Sequence, residues 1–461
     1  MESFMKVLDN DQWVSTNFGA CEFGDQRRTD RLTKIVSNMI AKPEGSIPEQ
    51  NVEWSDVKAA YRFFSNENVN FENVAQKHWQ QTRETKPGRY LLISDTTDID
   101  HFSHKATTGL GILGDGAGRG MQLHSCLMFD SGEKQIVGTA GALIYYRKHK
   151  SKNETRTARL ARDRESNVWG DLADSIGAAP EGSQWIHVWD RGGDNFEAMC
   201  HLKLIGNDWI IRASKLNRGV ICQNGQAMHL EQAVENAVKL GSYALHLRSR
   251  QGVAARTAQM EVSVVKLIYP PPKLNSSWVK QCGIKQLTMH AVVVREVDAE
   301  KGVTPICWVL LTSLEVNSFQ DAWQVVEDYE HRWQIEEYHK VIKSGCSVEQ
   351  HALRTADRLE PLIGVISIVG TRLLQLKLIG RNQPDAKAEK HVPASWLKCL
   401  KLVRPKIMLT DLTVYEFFRE IAKLGGFLGR KHDGEPGWIT IWRGFQKMQS
   451  LLDGMRLLGP L

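Results

Sequence analysis

Two aspartates each close a short apolar run: Arg89-Tyr90-Leu91-Leu92-Ile93-Ser94-Asp95 and Trp185-Ile186-His187-Val188-Trp189-Asp190. Such runs predict buried strands, and in an α/β sheet the strand ends are where side chains converge on a ligand. Small or polar residues follow both acids, Thr96 and Thr97 in one case and Arg191, Gly192, Gly193 and Asp194 in the other. Taken singly, an Asp after a strand is most often a turn or cap residue. A third acid, Glu336, lies in a helical pattern from about Phe319 to Ser344. There Tyr329, Arg332, Glu336, Lys340 and Lys343 are 3, 4, 4 and 3 residues apart, so they share one stripe at about 100° per residue. Helix geometry alone favours a solvated face with a Glu336–Lys340 pair. Against full solvation stand Val325, Val326, Trp333, Ile335 and Ile342, which must pack on something, expected to be the sheet.

If Asp95, Asp190 and Glu336 converge, they form a three-carboxylate oxygen site suited to Mg²⁺, with Mn²⁺ able to substitute. Two such ions ~3.5–4 Å apart would clamp an in-line phosphoryl displacement. Arg332, Lys340 and Lys343 would then grip phosphates. Other chemistries lack their motifs. There is no Walker A loop, dinucleotide fingerprint, HExxH, zinc-finger spacing or Gly-x-Ser-x-Gly elbow. His124, alone on a strand pattern, reads as a core or edge histidine rather than a ligand.

Composition permits this chemistry without requiring it. Of the 461 residues, Lys and Arg number 59 against 53 Asp and Glu, a net charge of +6. That balance allows a polyanion partner but only its distribution can argue for one. The eight cysteines form no Cys-x-x-Cys pair and are expected to be reduced thiols in a cytoplasmic protein. The opening residues have no signal-peptide core, and no run of about 18 apolar residues predicts a membrane span.

The elements that must position these residues divide by composition. Residues 1–75 read as helical, with Arg27, Arg28, Arg31 and Lys34 around one apolar stripe and Lys58 and Arg62 around another. Residues 88–213 read as three strands and then alternating helix and strand, a mixed α/β sheet. A charged helix is expected from about Glu154 to Ile176. Residues 214–300 alternate or are β-branched between Gly- and Pro-rich turns, and predict an all-β insertion. A buried strand returns at 306–312, and the remainder is helical, with a helix over 357–378 and basic stretches at Lys398, Lys401, Arg404 and Lys406.

The order strand-Asp95, strand-Asp190, β-rich insertion, helix-Glu336 resembles the DDE transposases. The spacing of Tyr329, Arg332, Glu336 and Lys343 matches the Tyr-Arg-Glu-Lys signature of their insertion-sequence-four family. Further strings resemble its transposon-five branch: Gly24-Asp25-Gln26-Arg27-Arg28-Thr29, Ala60-Tyr61-Arg62-Phe63, Asp95-Thr96-Thr97 and Trp308-Val309-Leu310-Leu311-Thr312-Ser313. The most specific is His331-Arg332-Trp333-Gln334-Ile335-Glu336-Glu337-Tyr338-His339-Lys340, and the likeness runs from about residue 12 to the C-terminus. One departure is the loop after Asp190, which is richer in glycine than the family's.

The resemblance implies an RNase H-like catalytic core, a mixed five-stranded sheet flanked by helices, over 76–370, interrupted by the β-rich insertion. It implies a helical DNA-binding domain over 1–75, with Arg27, Arg28, Arg31, Lys58 and Arg62 as candidate contacts. A helical dimerisation domain would occupy 371–461, where Phe445, Met448, Leu451, Leu452, Met455 and Leu458 form an apolar face; packing on its own domain explains that face as well. The implied activity is cut-and-paste transposition by a homodimer in a synaptic complex on double-stranded DNA. It proceeds through 3′-strand nicking, hairpin formation and resolution, and strand transfer into target DNA, with two metal ions per active site. Asp95, Asp190 and Glu336 map onto the catalytic, metal-binding acids, and Glu337 points about 100° away from their stripe. Tyr329, Arg332 and Lys343 map onto groups gripping hairpin phosphates, and Lys340 on the same stripe is a further candidate for DNA phosphate. Trp308 maps onto the aromatic that stacks a flipped base, although a core Trp in a buried strand would look the same. The alternative is a non-catalytic end-binding protein or transposition inhibitor on the same scaffold.

Overall fold

The computed structural model describes residues 10–147, 155, 164–247, 255–299, 302–382, 384–430 and 433–458. Apolar runs with β-branched residues become the strands of one large mixed sheet. They are β1 (Arg89–Asp100), β2 (Gly111–Leu113), β3 (Gly118–Asp130), β4 (Gln135–Tyr145), β5 (Gln184–Trp189), β6 (Asp208–Arg212), β7 (Gly219–Cys222), β8 (Ala227–His229), β9 (Val238–Leu247), β10 (Arg256–Tyr269), β11 (Leu287–Val297) and β12 (Cys307–Thr312). The order is β2-β3-β1-β5-β6-β12-β11-β10-β7-β8, with β4 on β3 and β9 on β10. β1, β5 and β6 run parallel, and β3 lies antiparallel to both β1 and β4.

Several sequence expectations are corrected. β1 does not end at Asp95 but runs to Asp100; what ends is its pairing with β5, at Ser94 opposite Trp189, while β3 continues to pair with it. The 214–300 segment is not all-β, because it includes the helices Leu230–Glu235 and Ser277–Gln281. Its ladder continues through β11 and β12 directly onto β6. Of the charged helix expected from Glu154 to Ile176, the described residues show a 3₁₀ turn, Glu165–Asn167, and the helix Val168–Ile176; residues 154 and 156–163 lie outside the described residues.

The N-terminal region is helical, with Asn10–Phe18, Gln26–Ala41, Ile47–Gln50, Trp54–Phe64 and Phe71–Arg83. Asp25 caps the second of these by accepting from the Arg27 N–H, which satisfies one of the orphan donors of a helix start. The C-terminal region is helical too, including Ala394–Val403, Val414–Leu424 and Trp438–Leu458. One hydrophobic core runs continuously from Trp13 through the sheet to Leu452. At its centre lies Ala356–Asn382, with Pro361 tolerated in its first turns. A stretch of this helix is long and apolar enough to span a membrane, but 89% of its most apolar window is buried inside the protein, as a central core helix must be. In the last helix, Phe445, Met448 and Leu452 are buried within the chain itself, while Leu451 on the same predicted face is exposed.

A buried ion pair fixes the helix over the sheet. Asp328, near the end of Phe319–Glu330, is 2% exposed and receives a two-pronged contact from Arg89 at the start of β1, plus the Gln324 amide at 3.1 Å. Removing the cation leaves a buried carboxylate, whereas removing the acid leaves a guanidinium that can turn toward water. Arg89→Ala is therefore expected to cost about 2–3 kcal/mol. Asp328→Ala should cost less, and the double variant less than the sum, as measured in a urea-unfolding double-mutant cycle.

Candidate active site

Strand periodicity places the two aspartates. Leu91 and Ile93 of β1 and Ile186 and Val188 of β5 face one core, while Tyr90, Leu92 and Trp185 face another. Side chains alternate across a strand, so Asp95 and Asp190 both fall on the face of Leu91 and Ile186. The parallel register pairs Leu91 with Ile186 and Ser94 with Trp189, which carries Asp95 opposite Asp190 just past the last rung. The same face continues across the sheet. Ile210 of β6 and Leu310 of β12 point into that core, which puts Arg212 and Trp308 on the same side.

The loop after Asp190 turns tightly. Asp190 caps the 3₁₀ turn Arg191–Gly193, accepting from the Gly192 N–H at 2.6 Å. A Cβ on Gly193 would lie 2.7 Å from the Trp189 ring, so the turn can seat itself against that ring only without a side chain. Asp194 is buried and committed elsewhere, accepting from the Ser214 N–H and hydroxyl and from Arg218. It closes the loop and takes no part in the site.

The expected single helix over 319–344 is broken at the residues that matter. It consists of Phe319–Glu330, Trp333–Lys340 and a π-helical turn Val341–Gly345. The join is tightened by i→i−3 bonds, Arg332 N–H to the Tyr329 carbonyl at 3.0 Å and Ile335 N–H to the Arg332 carbonyl at 3.2 Å. Val325, Val326, Ile335 and Ile342 are buried as the pattern required. Trp333, expected to pack with them, is instead 41% exposed.

The tightened turn directs Arg332 at two acids. Its guanidinium lies 3.4 Å from the Asp95 carboxylate and donates to Glu336 one turn on. Burial, and after it the nearby Asp190 charge, push the Asp95 carboxyl up to about 6; the Thr96 N–H and Arg332 oppose this, and Glu336 adds to it. Asp95 thus feels the charge of both Asp190 and Glu336. Yet among the described residues no three His, Cys, Asp or Glu side chains stand close enough to hold one metal ion in this conformation. Glu337 points away and pairs with the buried Lys377.

Around these acids the Tyr329 phenol is buried and its pKa is raised by that burial, with Arg212 and Arg332 opposing the rise. Arg212 has no motif signal in the sequence; only the register of β6 with β12 brings it beside Tyr329. The Trp308 ring meets Tyr329 edge-on at 5.7 Å and is partly exposed at the border of the core rather than enclosed in it. Lys340 is exposed, and Lys343, displaced by the π turn, reaches Glu349 at 3.4 Å. His124 is fully buried, its Nδ1 engaged with the Thr96 hydroxyl at 2.8 Å, and desolvation keeps it neutral.

The N-terminal basic residues lie on a separate surface. Arg27 is exposed and pairs with Asp25, while Arg31 and Lys34 share Asp56, each at 2.8 Å. Arg28 donates to the Phe23 carbonyl. Lys58 and Arg62 are exposed on the Trp54–Phe64 helix.

Residues 10–69, which hold this basic surface, match the family model for transposase DNA-binding, and residues 368–459 match that for the transposase Tn5 dimerisation domain. Together they indicate a Tn5-like transposase. The two matches flank the sheet, so the acids described above lie between the segment that matches the DNA-binding model and the segment that matches the dimerisation model.

The Asp95 field has a consequence for stability. A carboxyl at about 6 in the folded chain and near 3.8 unfolded opposes folding once it ionises, fully above about pH 6 and not at all below about pH 4. In EDTA, Asp95→Asn should therefore raise stability at pH 7.5, by at most about 3 kcal/mol. The gain should shrink as the pH falls through 6 and vanish near pH 4, as read from thermal unfolding at each pH.

Proposed function

We propose that the transposase moves DNA by cut and paste, using an RNase H-like core in which Asp95, Asp190 and Glu336 are the catalytic acids. The observation that carries this reading is the placement of Asp95 and Asp190 on one face at the open end of two parallel strands, with Glu336 near enough to raise Asp95. The strand order β4-β3-β1-β5-β6, with only β3 antiparallel to the rest, supports the RNase H-like assignment. Residues 76–370 would form that core, with 1–75 binding transposon ends and 371–461 pairing two copies in a synaptic complex. The setting we infer is the bacterial cytoplasm, on double-stranded DNA.

The donor set suits Mg²⁺, or Mn²⁺ in its place. Asp95, Asp190 and Glu336 are hard carboxylate oxygen donors, and the charge of Asp190 and Glu336 that raises Asp95 is what a divalent cation would relieve. Two bound ions would supply Lewis-acid activation of the attacking oxygen and stabilisation of the leaving oxygen. The chain's own residues do the rest. Asp95, Asp190 and Glu336 would hold the ions. Arg332, Lys340 and Lys343 would grip the phosphates on either side of the scissile bond, with the Tyr329 hydroxyl fixing the hairpin phosphate. Trp308, partly exposed beside Tyr329, offers a ring face on which a base displaced by hairpin closure can stack. Arg27, Arg28, Arg31, Lys58 and Arg62 would bind the transposon end, away from the chemistry. The sequence of events would be 3′-strand nicking, hairpin formation and resolution, then joining of the 3′-OH to target DNA.

A second reading, a non-catalytic end-binding protein or inhibitor on this scaffold, is favoured by one observation: the acids do not form a three-ligand group in this conformation. Strand cleavage separates the two. Asp95→Ala, Asp190→Ala and Glu336→Ala should each lower Mg²⁺-dependent cleavage of transposon-end DNA by more than about 100-fold, beyond the value of a metal's outer-shell partner. End binding in a gel shift should be retained. Unimpaired cleavage by any one of them removes that acid from the triad, and a wild-type chain that binds ends without nicking is the inhibitor. Trp308→Ala should leave nicking intact and slow hairpin formation by about tenfold or more, the worth of one stacked base.

A further inference from the structure

Arg332 occupies two of the three acids assigned to the metal. One guanidinium nitrogen lies 3.4 Å from Asp95 and the other contacts Glu336. The side chain is 18% exposed, held at the tightened join between two helices, with its backbone N–H bound to Tyr329 at 3.0 Å. The proposed function assigns the same guanidinium to a DNA phosphate. A planar fork can serve a pair of carboxylate oxygens or a phosphate, and it exchanges one for the other at little cost in geometry. It cannot serve both fully at once.

We infer that Arg332 is a latch that couples metal loading to DNA binding. Without DNA, the guanidinium bridges Asp95 and Glu336 and competes with divalent cations for their oxygens. When DNA arrives, a backbone phosphate takes the guanidinium, and both carboxylates are released to the metal. Linkage then requires reciprocity: DNA tightens metal binding, and metal tightens the grip on DNA by the same factor. The latch would keep a DNA-cutting site unloaded until substrate is present. Lys340, exposed on the same helix, and Lys343, held by Glu349, supply positive charge nearby without bridging the acids.

The inference rests on the assignment of Asp95 and Glu336 as metal ligands, so the test separates the two. Mn²⁺ binding to the full chain is measured by the electron paramagnetic resonance of the free ion, with and without a 40-base-pair mixed-sequence duplex. Binding to Asp95→Asn under the same conditions is subtracted. Without DNA, Arg332→Gln should bind Mn²⁺ about tenfold more tightly than wild type, and Lys340→Gln less than about threefold more tightly. Arg332→Lys keeps the charge but loses the fork, and it too should bind more tightly than wild type. The duplex should tighten Mn²⁺ binding about tenfold in wild type and hardly at all in Arg332→Gln. Equal effects of Arg332→Gln and Lys340→Gln, with Arg332→Lys at the wild-type value, would reduce the effect to charge and overturn the latch. Undiminished stimulation by the duplex in Arg332→Gln would do the same. No difference between wild type and Asp95→Asn would remove the metal site itself, and the latch with it.

Discussion

Two carboxylates that repel each other are held side by side because the backbone allows them no alternative. The parallel pairing of β1 with β5 fixes the register, and the two-residue period of a strand fixes the face. A slip of one residue would send Asp95 to the opposite face, among the apolar side chains around Tyr90 and Leu92. Everything else in the site answers to that pair. The Arg89–Asp328 pair ties the covering helix to the start of the same strand. The tight turn at Gly192 and Gly193 keeps Asp190 at the strand end, where an ordinary side chain would strike the Trp189 and Trp169 rings.

The helix that brings Glu336 is also where regular structure gives way. A continuous α-helix would present its five polar residues as a straight stripe, each turn stacked above the last. The i→i−3 bonds at Arg332 overwind it locally, and the π turn after Lys340 underwinds it again. The outcome is a separation of tasks along one element. Tyr329 sinks against the sheet beside Trp308 and Arg212, Arg332 reaches back to Asp95, and Lys343 leaves the stripe for Glu349. Departures of this kind from helical geometry recur where function sets the side-chain direction.

Much of this was legible in residues whose signal is local. Strands over 135–145 and 287–297 follow from β-branched alternation, and the aspartates from apolar runs that stop at an acid. What could not be read was set by partners distant in sequence. β1 looks finished at Asp95 because its apolar residues stop there, yet β3 supplies hydrogen bonds for five residues more. The 214–300 segment reads as an all-β insertion, and nothing in its own pattern names β12 as the neighbour of β11. Arg212 is an ordinary polar residue at a strand end until the β6–β12 register puts it beside Tyr329. Trp333 carries the hydropathy of a core residue, and only the broken helix turns it outward.

A net charge of +6 understates what the chain can offer a polyanion, because many of its cations are already engaged by its own acids. Asp25 holds Arg27, Asp56 holds both Arg31 and Lys34, and Glu336 with Asp95 holds Arg332. Exposed pairs of this kind contribute little to folding, so their function is better sought in what they exchange for. A phosphate backbone presents the same oxygen geometry as a carboxylate and a denser line of charge. Each such exchange would free an acid. On the N-terminal surface the freed acid would return to water. At the sheet, under the proposed exchange, Asp95 would keep the neighbouring Asp190 charge that already raises it, and a divalent cation would relieve that repulsion.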